Sequence, residues 1–105
     1  MRYLAGFACL AVLAACTDPE VGEQMVGDAM RPAIQEVVSK EYPLVPAPPV
    51  VQCVIDNANE EESTRILQAA IEGVTGRDNI MIVRIVNRPG TQACISDAGV
   101  PLGMM

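Results

Sequence analysis

Four cysteines, at positions 9, 16, 53 and 94, are the residues of this chain best equipped for covalent chemistry. A thiolate can attack a substrate, bind metal or pair with a second sulfur. No two of the four form a C-x-x-C redox pair, and the chain has no His. Without imidazole there is no Ser–His or Cys–His couple. Two cysteines without His also make a poor zinc site. Carboxylates come next. Glu60, Glu61 and Glu62 follow Asp56, but a calcium loop started at Asp56 would have Ala58 where a ligand belongs and Glu61 in place of the required Gly. Acid at a helix N-terminus, favoured by the dipole, accounts for this cluster. Arg77, Arg84 and Arg88 are spaced to share one narrow face of a helix, a candidate interaction face for an acidic partner. Met81, Met104 and Met105 offer soft sulfur, but methionine as core filler explains them. There is no glycine-rich phosphate motif and no cysteine cluster for iron–sulfur chemistry. These residues point to no enzyme, no cofactor and no metal.

The remaining chemistry sits at the N-terminus. Met1 and Arg2 make a positive start, and Leu4 to Ala15 form an apolar run that ends in small residues. The uncharged stretch from Tyr3 to Thr17 is about fifteen residues, against roughly twenty for a spanning helix. No two of its alanines are separated by one residue, so an A-x-A cleavage site is missing. Leu13-Ala14-Ala15-Cys16 resembles the lipobox of bacterial lipoproteins in all four positions. The resemblance implies removal of residues 1–15 as a signal peptide. It implies lipidation of Cys16 by a thioether-linked diacylglycerol and an acyl (palmitate-type) chain on its amino group. Two or more chains anchor firmly where one does not. Thr17 follows the cysteine, and the Asp associated with inner-membrane retention is missing; by the same resemblance the product is an outer-membrane lipoprotein facing the periplasm. Cys9 then leaves with the signal and Cys16 is consumed by lipid. Cys53 and Cys94 remain as a pair in an oxidising compartment, and a disulfide is expected between them.

Composition narrows the partners. The chain carries a net charge of −6, which argues against nucleic acid and against electrostatic adhesion to anionic lipid. The membrane link is therefore expected to be the covalent one. Tyr3 and Phe7 lie in the signal, so Tyr42 is the one aromatic of the mature part. A core must come from Val, Ile, Leu, Met and Ala, and base or sugar stacking has no platform.

The elements that position these residues are read as helices. Asp18 as cap, Pro19 at the first turn and Glu20 start a membrane-proximal helix in the segment 16–42. Its apolar stripe includes Val37 and Val38 and could be offered to a partner. Pro32 should kink it or mark a restart capped by Asp28. Residues 43–49 hold four prolines and read as a polyproline connector. Residues 50–105 are expected to form a disulfide-closed domain. There, Val50 to Ala58 fits either a strand or a helix, and Asn59 with Glu62 makes a capping box for a helix ended by Gly73 or Gly76. Arg65 can pair with Glu61 or Glu62. Asn79 to Arg88 is rich in β-branched residues, but its arginine spacing favours a helix, with Asp78 as a plausible cap. The expected fold is mainly α: three to four helices with one disulfide. The alternative is α+β, with a two-stranded sheet from 50–55 and 79–87.

Cys53-Val-Ile-Asp-Asn-Ala together with Arg88-Pro-Gly-Thr-Gln-Ala-Cys94-Ile resembles a group of small uncharacterised Gram-negative lipoproteins, over residues 50–96. Some of that group carry a succinate dehydrogenase label, but this chain has no flavin, haem or iron–sulfur ligand set. The functional expectation is a non-enzymatic envelope accessory with a protein partner. The alternative is binding of a lipid or acyl chain in an aliphatic pocket.

Overall fold

A computed structural model describes residues 19–105, which form five α-helices and one 3-10 turn, with no strand among the described residues. The mainly helical expectation holds and the two-stranded sheet does not. The helices are α1 (Pro19–Glu41), α2 (Ala47–Asn57), α3 (Glu60–Glu72), α4 (Gly76–Val86) and α5 (Pro89–Asp97). The count exceeds the expected three to four because 89–97 is a further helix; 47–49 lengthen the one before. Prolines can open a helix, since the first-turn N–H groups have no intrahelical partner to lose. Pro48 and Pro49 therefore sit in the first turn of α2, and Pro89 opens α5. The connector before α2 shrinks to residues 42–46.

Helix α1 is continuous through Pro32, with neither kink-induced break nor restart. Pro32 is exposed, so the lost hydrogen bond lies on the solvent side. Asp28 caps nothing; its carboxylate takes a 3.0 Å bond from Arg31 Nε. Met30, Ala33, Ile34, Val37 and Val38 are buried at helical spacing. They pack against α2 and α3, joined by Val50, Val51, Val54, Ile66, Ile82, Ile85, Val86 and Ile95. This core, aliphatic but for Met30 and Cys53, draws on all five helices. Helix α1 is thus an integral wall of the same helical body as residues 50–105.

Local chemistry fixes the helix ends. Asn59 and Glu62 form the expected capping box. For α4 the cap is Thr75, and Asp78 is its reciprocal partner three residues on. Gly73 ends α3 at φ 105°, where a side chain would be strained. After α5, Gly99 at φ 84° closes a Schellman motif: the Gly99 N–H reaches Ser96 O at 3.0 Å and the Val100 N–H reaches Ile95 O at 3.2 Å.

Candidate functional site

The Cys53–Cys94 disulfide is formed, joining α2 to α5 with Cα atoms 5.7 Å apart. Around it the end of α2, the start of α3 and the start of α5 meet in a polar corner. Asn57 Nδ2 donates to Cys53 O at 2.8 Å. A Cβ on Gly90 would stand 2.8 Å from Asn57 Oδ1, so α5 approaches here as only glycine allows without a shift.

Arg88 completes that corner. Its Nη1 donates to Asn57 O at 3.0 Å and to Glu62 Oε1 at 2.7 Å, and its Nη2 bonds Glu62 Oε2. The fork holds the Glu62 carboxyl below its usual range; burial opposes this and the Asn59 N–H assists it. The same contact raises Arg88. This corrects two expectations. Arg88 is not on the α4 face with Arg77 and Arg84: α4 ends at Val86, and Arg88 is the N-cap of α5, turned inward. Glu62 is held by Arg88 and not by Arg65. Only Arg77 and Arg84 remain together, on an outward stripe of α4 with the 59 %-exposed Ile80 between them.

The stripe of α1 also lies differently. Val37 and Val38 are buried in the chain's own core and have no surface to offer a partner. Among the described side chains, the large exposed apolar residues of α1 are Met25 and Val26, near its N-terminal end. Between this part of α1, the last turns of α2 and the start of α3 lies an open groove of about 1240 Å³. Val26, Ile55 and Ala58 give it apolar surface; Glu23, Asp28, Asp56 and Glu60 stand along it. Arg31 spans it, bonding Asp28 on its own helix and Gln52 on α2. Gln52 in turn donates to Asp56 at 2.9 Å.

Sequence reasoning overlooked this groove. Its signal was Gly22 and Gly27, two poor helix formers within α1 that both line it. A Cβ at Gly27 would lie 3.2 Å from Ile55, where the helices cross closely; at Gly22 it would meet nothing within 4 Å. Residues 1–15, Cys16 and the Asp18 cap lie outside the described residues. Among the described residues no three His, Cys, Asp or Glu gather as a metal site, and no helix is long and apolar enough to cross a membrane.

Compared with known proteins, the chain matches no family model, no curated protein and no solved structure. Function is therefore argued from its own residues.

Proposed function

We propose that this protein is a lipid-anchored, non-enzymatic accessory of the bacterial outer membrane, facing the periplasm and engaging a protein partner. The anchor is Cys16 of Leu13-Ala14-Ala15-Cys16. Helix α1 begins at Pro19, three residues later, which leaves little free tether. A disulfide across the domain suits an oxidising compartment. The observation that carries the partner role is the uncovered N-terminal part of α1, with Met25 67 % and Val26 41 % exposed beside an open groove. Carboxylates along that groove make it a poor berth for an acyl chain.

Two measurements test the reading. Intact mass of protein from its native envelope should show cleavage before Cys16, acylation, and loss of two hydrogen atoms, oxidised away at Cys53 and Cys94. An uncleaved or unacylated product would end the anchoring claim. A photo-crosslinker at Val26 should capture an envelope protein, and none would be captured if the partner role is wrong.

A further inference from the structure

We infer that the groove between α1, α2 and α3 receives a cationic amphipathic segment of the partner protein. This rests on the proposed partner role and names the partner's chemistry.

The groove has walls of opposite character to such a segment. Val26, Ile55 and Ala58 supply apolar surface, and Glu23 and Asp28 of α1, Asp56 of α2 and Glu60 of α3 also line it. The guanidinium of Arg31, the one basic group lining the groove, is already committed to Asp28 and Gln52. The acids are therefore in excess. They stand apart on three helices, with no three converging on one point among the described residues. A single metal ion needs convergent ligands; a segment with several positive side chains matches separated acids. An amphipathic helix laid into a groove by its apolar face is a recurrent recognition mode. Complementary charge in the groove would set its choice of partner and speed its encounter.

Gly22 fits this use. A side chain there would stand in the groove that Gly22 lines. Gly22 has open space around it, so packing inside the chain does not require glycine there.

The test uses protein extracted from its native envelope in a nonionic detergent. It is titrated with a fluorescent helix-forming peptide bearing lysines on one face and leucines on the other. The control replaces each lysine with glutamate, which keeps the apolar face and its detergent partitioning. The lysine peptide should bind about tenfold more tightly than the glutamate peptide. Glu23→Lys and Glu60→Lys, on α1 and α3, should each weaken it by about threefold to tenfold, with helicity unchanged. Glu72→Lys, at the far end of α3, should leave binding as it was. Equal binding of both peptides, or indifference to the two groove reversals, overturns the inference. If the lysine peptide fails while a crosslinker at Val26 captures an acidic or uncharged segment, the partner role stands and its cationic chemistry falls. If the crosslinker also captures nothing, both fall.

Discussion

Arg88 and Glu62, 26 residues apart, meet as a two-pronged ion pair that locks the N-cap of α5 onto the capping box of α3. The same guanidinium also takes the last carbonyl of α2, at Asn57. One side chain therefore joins three helix ends. Lysine cannot reproduce this, because its ammonium is a point charge without the planar fork. Arg88→Lys should lower unfolding free energy by about 1–2 kcal/mol in urea denaturation. A double-mutant cycle with Glu62→Gln should show strong coupling; additive losses would mean the pair does not act as a unit.

Acid should loosen that corner and the start of α4. Hydrogen bonding from Arg88 holds Glu62 below its ordinary range, and the Thr75 N–H does so for the buried Asp78. Both groups have a folded value beneath the unfolded one. Their contribution is thus complete above the unfolded carboxylate range, near 4, and is lost as pH falls through the folded values. The urea midpoint should stay level from about pH 7 to pH 5 and fall below about pH 4. In Glu62→Gln or Asp78→Asn the acid limb should be shallower, and an unchanged slope would rule out that group.

Reduction should cost more than either. The disulfide closes a loop of about 42 residues, which the chain-entropy model values at roughly 4 kcal/mol. Thermal unfolding with and without reductant, or of Cys53→Ala/Cys94→Ala, should show a drop of that order. A shift of only a degree or two would mean that the helices close the loop unaided.

Thr91 predicts a gain. Its side chain is fully buried and its hydroxyl has no hydrogen-bond partner among the described residues. Thr91→Val keeps the shape and removes the stranded group, so stability should rise by about 1 kcal/mol. A loss measured by denaturation would show that the hydroxyl has a partner in solution.

Glycine to alanine should act with opposite signs at two positions. Gly22 is helical and unobstructed, so Gly22→Ala should stabilise by about 0.5–1 kcal/mol. Gly99 holds φ at 84°. Gly99→Ala should destabilise by about 1 kcal/mol, since L-residues resist that backbone. Paired melting curves check both.

What was legible in the sequence was local. Asn59 and Glu62 lie three residues apart, and their reciprocal bonds form within one turn. Thr75 and Asp78 carry the same pattern, but Asp78 alone attracts notice because aspartate is itself a strong cap. Proline at 48 and 49 argues against helix interior, yet a first turn tolerates it. The arginine face erred for another reason. Periodicity assumes one continuous helix, and α4 stops two residues before Arg88. Its true partner Glu62 is distant in sequence, and no spacing rule reaches it. The groove was hidden because residues of three separate helices line it.

The disulfide has a further consequence for how the molecule comes apart. Residues 53–94 form a covalent ring, and α1 lies outside it. A protease cut at the turn between α3 and α4 leaves two pieces still tied together. A cut in residues 42–46 sets α1 loose, and Met30, Ile34, Val37 and Val38 leave the core with it. That short stretch, with Leu44 72 % exposed, is the seam at which one incision dismantles the protein.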